Sequence, residues 1–260
     1  MSDLNTSLLL SDTEVQQFAE QGFLIVRGLA DAAMRNAVAE AARAGLAAGL
    51  APVEYEADLH YPGSPESREA EGGRTIRRLL QVYQRDEAFR HWAHYPAMTT
   101  KVRQLLGDKP IALTQAHHNS LMTKQPSYSS KTLWHRDIRY WSFKESNLVS
   151  VWLALGREFP ENGCLGFIPG SHRVNLPAEY FDERTFLRTD LPESQRLIAT
   201  AVFPSLEAGD VVFFHSATFH AAGNNQTTQT KLSLVMSYHT QDNEAIPGTR
   251  TAAIPAVRIG

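Results

Sequence analysis

Gly209-Asp210-Val211-Val212-Phe213-Phe214-His215-Ser216-Ala217-Thr218-Phe219-His220 is the stretch on which the fold reading turns. A Gly-Asp turn releases a run that stays apolar through Phe214, as a strand buried on both faces would. After His220 the chain enters the polar Gly223-Asn224-Asn225-Gln226, where a strand would emerge at the mouth of a barrel. The same texture extends outward from Pro110 onward. Segments rich in Val, Phe, Ile and Thr alternate with turn signals at Pro126-Ser127, Glu161-Asn162-Gly163 and Pro169-Gly170-Ser171. Short strands at this spacing predict an antiparallel sandwich or barrel.

The first hundred residues read mostly as helix. Ser11-Asp12-Thr13-Glu14 is a capping-box pattern opening a helix that Gly22 closes. Phe23-Leu24-Ile25-Val26 is a short buried strand, and Asp31 caps an Ala-rich helix running to about Gly49. Ala51 to Gly73 lacks periodicity and is expected as a loop, placed to act as a lid. Thr75 to Tyr83 is expected as a strand, followed by two short helices between Asp86 and Gly107, the second begun by Pro96. The expectation is a mainly β protein with a helical N-terminal part. One domain spans 1–260, with helical support over about 1–109 and a β core over about 110–240.

At 260 residues, 43% of them apolar, the chain can bury one large core. A net charge of −3 offers no basic face for a nucleic-acid partner. The single Cys164 rules out an intramolecular disulfide framework and fits a reducing compartment. The one short apolar run near the start, Leu8-Leu9-Leu10, is too short for a leader or a membrane span. A cytoplasmic protein acting on a small molecule is expected.

Leu133-Trp134-His135-Arg136-Asp137-Ile138 reads as a strand, and residues two apart on a strand project from one face. His135 and Asp137 would therefore point together and take two neighbouring positions on one metal. Ten His and 28 acidic residues would supply roughly one such pair by chance, so the pair needs a third ligand. His215 and His220 are the candidates. Either would complete two imidazoles and one carboxylate with positions left open, the donor set of non-haem Fe(II) oxygenases.

At these residues the sequence resembles the phytanoyl-CoA dioxygenase family of Fe(II)/2-oxoglutarate oxygenases, over roughly Thr114 to His239. Trp134-His135-Arg136-Asp137 with Tyr140-Trp141-Ser142-Phe143 matches its His-x-Asp strand. Val151-Trp152-Leu153-Ala154-Leu155, Glu161-Asn162-Gly163-Cys164-Leu165 and Ile168-Pro169-Gly170-Ser171-His172 match its central hairpin. The opening stretch, with Asn224 behind it, matches its distal-histidine strand. The resemblance implies a double-stranded β-helix, the cupin-like jelly roll, and it places the distal ligand on His220. It implies Fe(2+), 2-oxoglutarate and O2 as cofactor and cosubstrates, with 2-oxoglutarate decarboxylated to succinate as a substrate C–H bond is hydroxylated. A jelly-roll metal-binding protein without oxygenase turnover is the alternative.

The family binds the distal carboxylate of 2-oxoglutarate with an Arg eleven residues after the distal His, a position held here by Lys231. Lys keeps the charge and loses the bidentate fork. Period two puts Lys231, Ser233, Val235 and Ser237 on one strand face and Leu232, Leu234 and Met236 on the other. The family's Ser two residues after the distal His is replaced by Ala222. Ser120, Thr132, Trp152 and Lys124 are the remaining family-like lining candidates. Arg74, Arg77 and Arg78, with Arg136 and Arg139, would gather positive charge at the entrance and favour an acyl-CoA, a sugar acid or another anionic metabolite, or else belong to a solvated face balanced by carboxylates such as Glu69, Glu71, Asp86 and Glu87.

Overall fold

The computed structural model describes residues 8–260; the first seven residues, on which part of the leader expectation rests, lie outside them. Ser11 caps α1 (Asp12–Gln21) in a closed capping box: its hydroxyl accepts from the Glu14 N–H while the Glu14 carboxylate accepts from the Ser11 N–H. Gly22 then turns the chain at φ +80° into β1 (Phe23–Val26). A Cβ there would lie 2.4 Å from His172 Nδ1 and 2.5 Å from Thr218 Oγ1. Gly22→Ala therefore combines a left-handed backbone with a clash and should cost at least about 2 kcal/mol. Thermal denaturation should show a Tm lower by about 4–8 °C.

Asp31 caps α2 (Ala32–Ala48), its carboxylate accepting from the Met34 N–H. The stretch expected as a loop instead contains β2 (Val53–Tyr55), which pairs with β3 (Ile76–Leu80) and leads into a short turn of helix that buries Glu56 completely. Three residues are too few to show periodicity, which is why β2 was not legible. β3 ends earlier than expected, because Gln81 takes a left-handed φ of +56°. The helices α3 (Glu87–Ala93) and α4 (Pro96–Leu105) follow, with Pro96 at the start of the second.

From there the chain is largely strand: β4 (Ile111–Leu113), β5 (Asn119–Lys124), β6 (Thr132–His135), β7 (Leu148–Ala154), β8 (Leu165–Phe167), β9 (Val211–His215), β10 (His220–Ala222), β11 (Lys231–Thr240) and β12 (Val257–Ile259). The short helices α5 (Pro192–Ile198) and α6 (Arg250–Ala253) interrupt them. The large sheet runs β1-β9-β7-β11-β5-β3-β2, with β4 also on β11 and β12 on β4. The small sheet runs β6-β10-β8, and every neighbouring pair in both sheets is antiparallel. β1, β2 and β3 thus come from the part of the chain expected to be helical support.

This layering explains the opening stretch. Val211 and Phe213 pack with the helices outside the large sheet, whereas Val212 and Phe214 pack between the two sheets against Trp152, Leu165 and Phe167. With helices covering its outer face, the strand is apolar on both sides. Two facing sheets make the expected jelly roll. No helix among the described residues is long and apolar enough to cross a membrane.

Candidate metal centre

β6 and β10 bring two histidines together by register. His135 and His220 are directly opposite each other, and their ring centroids are 4.3 Å apart. The strand expected to reach Ile138 ends at His135. Arg136 remains extended (φ −112°, ψ 137°), and Asp137 opens a single turn of 3-10 helix. One extended residue is enough to keep His135 and Asp137 on the same side. His135, Asp137 and His220 are all buried, and their donor atoms lie within 4.8 Å of one another.

The protons can be placed. His135 Nδ1 donates to the Leu133 carbonyl at 2.8 Å, and His220 Nδ1 donates to the Thr218 carbonyl at 3.0 Å. That leaves both Nε2 lone pairs facing inward, at 3.5 and 3.3 Å from Asp137 Oδ1. This carboxylate oxygen is fully buried and has no hydrogen-bond donor. Three donor atoms converging on one buried point suit a divalent cation, and imidazoles held by backbone carbonyls are oriented as metal-binding histidines usually are.

The three groups also act on one another through charge. Burial would raise the Asp137 pKa, but His118 and His220 beside it hold the carboxyl well below its usual range. Burial also works against charge on His220, yet the Asp137 carboxylate outweighs it and raises that imidazole. His135 is pushed down to about 4, first by burial and then by His220.

His118 was not singled out from sequence. Its Nδ1 lies 3.0 Å from Asp137 Oδ2, which also accepts from Ser150 Oγ at 3.3 Å. The contact is electrostatic, since the Nδ1 geometry does not make a directed hydrogen bond. His118 sits at φ +47° in the turn before β5, a place with no periodic pattern to betray it. His118→Phe should weaken Fe(II) binding about 10- to 100-fold while the protein stays folded, as measured by metal titration with circular dichroism as control.

The rival ligand His215 ends β9 away from this cluster. Its Nδ1 accepts from the Ala217 N–H, its ring lies 5.5 Å from that of His172, and burial drives its pKa down to about 4.

A cavity opens beside His135 and His220 of the candidate cluster. Of the expected residues, Lys124, Thr132, Trp152, Ala222 and Lys231 line it, and Ser120 does not; Ser120 is buried farther along β5, opposite Val235. Lys231 meets a partner that sequence reasoning missed. Its Nζ lies 3.3 Å from Glu158 Oε2 and 3.1 Å from Ser233 Oγ. Glu158 Oε1 accepts from Trp152 Nε1 at 3.0 Å and from Ser233 Oγ at 2.6 Å, and the glutamate is completely buried.

The expected arginine cluster divides. Arg74 is exposed and only 4.0 Å from Glu69. Arg77 and Arg78 are buried at the cavity, balanced by Glu54 and Glu56 and not by the carboxylates nearest in sequence. Arg136 donates to the carbonyls of Ser171 and Val174 and lies over Phe219. Arg139 lies 4.2 Å over the ring of Phe186, which in turn is 5.8 Å from that of His135.

Residues 18–233 match the model of one protein family, Phytanoyl-CoA dioxygenase. The chain belongs to the phytanoyl-CoA dioxygenase family. It is 29% identical over 185 residues to mouse peroxisomal phytanoyl-CoA dioxygenase, covering 66% of this chain and 52% of that protein. It is 25% identical over 254 residues to the ectoine dioxygenase of Halomonas elongata, covering 91% of this chain and 72% of that protein. The chain spans about half the length of the first phytanoyl-CoA dioxygenases it matches. In fold it resembles EctD from S. alaskensis, solved with 2-oxoglutarate and 5-hydroxyectoine, at TM-score 0.79 and 19% identity, covering 100% of this chain and 89% of that one. It also resembles the epimerase SnoN, solved with Fe3+, alpha ketoglutarate and nogalamycin RO, at TM-score 0.73 and 22% identity, covering 92% and 90%. Within the phytanoyl-CoA dioxygenase family pattern, the departures at Lys231 and Ala222 both fall on the cavity wall. Thr132 stands directly across the strand pair from Ala222 and brings a hydroxyl to the same place.

Proposed function

We propose that this family member is a non-haem Fe(II)- and 2-oxoglutarate-dependent dioxygenase that hydroxylates an unactivated C–H bond of a small, anionic metabolite. The observation that carries the proposal is Asp137 Oδ1, a buried carboxylate oxygen without a donor, faced by two imidazole lone pairs. Bound there, Fe(II) would couple oxidative decarboxylation of 2-oxoglutarate by O2 to oxygen insertion into the substrate.

The chain's own residues have separate parts in this. His135, Asp137 and His220 hold the metal from one side, and the carbonyls of Leu133 and Thr218 fix the two rings. The cavity walled by Trp152, Thr132, Lys124 and Lys231 takes the cosubstrate. On the other side, Phe186 and Tyr140 stand 5.8 and 6.0 Å from the His135 ring and shape the approach for substrate. Arg139 and Arg184 both lie over Phe186 and donate to backbone carbonyls, and among the described residues neither has a carboxylate within ion-pair distance. Two guanidiniums without a carboxylate partner, lying over a ring 5.8 Å from that of His135, support an acidic group on the substrate. Three convergent donors and no fourth, among the described residues, speak against a closed structural metal site.

We also read the chain as one catalytic unit, supported by the pairing of β1 with β9, and as cytoplasmic, supported by a lone, buried, free Cys164. Succinate release across a panel of small carboxylic acids, sugar acids and acyl thioesters tests the proposal. Succinate formed only with Fe(II), 2-oxoglutarate and O2 together, and raised by one substrate class, is expected. Metal binding with no succinate under any condition would support a binding protein instead.

A further inference from the structure

The cosubstrate cavity has an unusual charge balance. Four basic side chains line it: Arg77, Arg78, Lys124 and Lys231. Arg77 has Glu56 at 3.3 Å and Glu54 at 3.6 Å, Arg78 has Glu54 at 3.3 Å, and Lys231 has Glu158 at 3.3 Å. Lys124 has no carboxylate within ion-pair distance among the described residues. Its Nζ donates to the Ser130 carbonyl at 2.5 Å, and the side chain is buried. Four basic groups therefore stand against the three carboxylates Glu54, Glu56 and Glu158, and Lys124 is the one left without a carboxylate partner.

This lysine sits beside the family's cation position. Lys124 and Lys231 are direct partners on β5 and β11, so their side chains leave neighbouring strands at the same level. Lys231 is answered before any ligand arrives, because Glu158 is itself fixed by Trp152 Nε1 and Ser233 Oγ. Burial, with Arg77 and Lys231 close by, keeps the Lys124 pKa well below the usual lysine range, which is the expected strain of a buried ammonium lacking a counter-ion.

We infer that Glu158 is a specificity residue of this cavity: it neutralises Lys231 and leaves Lys124 to balance the second carboxylate of a 2-oxo dicarboxylic acid. This rests on the 2-oxoglutarate reading above and divides the work between the two lysines. Glu158 does not itself line the cavity; it acts through Lys231, whose charge it offsets from behind the wall.

The test is anaerobic calorimetric titration of the Mn(II)-loaded full chain with 2-oxoglutarate and with 2-oxopentanoate, which has the same five carbons and no second carboxylate. Wild type should prefer 2-oxoglutarate by at least about tenfold, the worth of a hydrogen bond to a charged group. Lys124→Met should lose that preference while keeping its affinity for 2-oxopentanoate, which also reports that the cavity is intact. Glu158→Gln keeps the acceptor for Trp152, releases the charge of Lys231, and should increase the preference by about threefold or more. Full preference in Lys124→Met, or an unchanged or reduced preference in Glu158→Gln, would overturn the assignment while leaving the cosubstrate reading in place. Wild type that binds neither acid would overturn both.

Discussion

Asp137→Ala will leave a folded protein with no useful turnover: succinate release should fall by about a thousandfold or more. On the proposed reading the carboxylate is the one anionic ligand of the three, and its removal would take several kcal/mol of charge stabilisation from the metal, at about 1.4 kcal/mol per factor of ten. Both imidazoles also lose the group at which their Nε2 atoms converge, and His118 loses its contact at Oδ2. The check is succinate release under saturating Fe(II) and 2-oxoglutarate, beside circular dichroism. A variant that keeps wild-type turnover would move the metal away from this cluster.

Lys231→Ala should be the most damaging single change to stability among the cavity residues. It leaves Glu158 completely buried with its ion-pair partner gone, and breaking a buried pair from one side costs about 3–5 kcal/mol. For a chain of this size that is a drop in Tm on the order of 10 °C. Removing both charges together is different. Lys231→Met with Glu158→Gln leaves no orphaned charge and keeps an acceptor for Trp152, so most of the loss should be recovered. In the single variant the 2-oxoglutarate requirement should also rise, because the charge of Glu158 is then left unopposed behind the cavity wall, while Fe(II) binding persists. Equal melting temperatures for wild type and Lys231→Ala would show that the pair contributes nothing to the fold.

Local signals in the sequence carried most of the fold. The capping box at Ser11, the left-handed Gly22, the Asp31 cap and Pro96 at a helix start depend on neighbours within a few residues, and all four appear where expected. The two-residue spacing of His135 and Asp137 is equally local. It survives the early end of β6 because a single extended residue between them suffices. Long-range pairing was harder to see. Glu158 lies in the turn after β7 and reads as one more solvated loop carboxylate, yet its partner is Lys231, 73 residues away. Glu56 follows a strand of only three residues and meets Arg77, 21 residues away, and Ser130, 74 residues away. His118 has no pattern at all. Thus the candidate metal cluster of His135, Asp137 and His220, which strand parity and register bring together, was legible as a group, whereas the charge balance of the cavity required the tertiary fold.

The most direct test of the account is the anaerobic addition of 2-oxoglutarate to the Fe(II)-loaded protein, followed in the visible region and then exposed to O2. If His135, Asp137 and His220 hold an open iron site, wild type will develop the weak metal-to-ligand charge-transfer band of a chelated 2-oxo acid. The band will bleach with O2 as succinate appears, and Asp137→Ala will show no band. Wild type that binds Fe(II) tightly yet gives neither band nor succinate would contradict it.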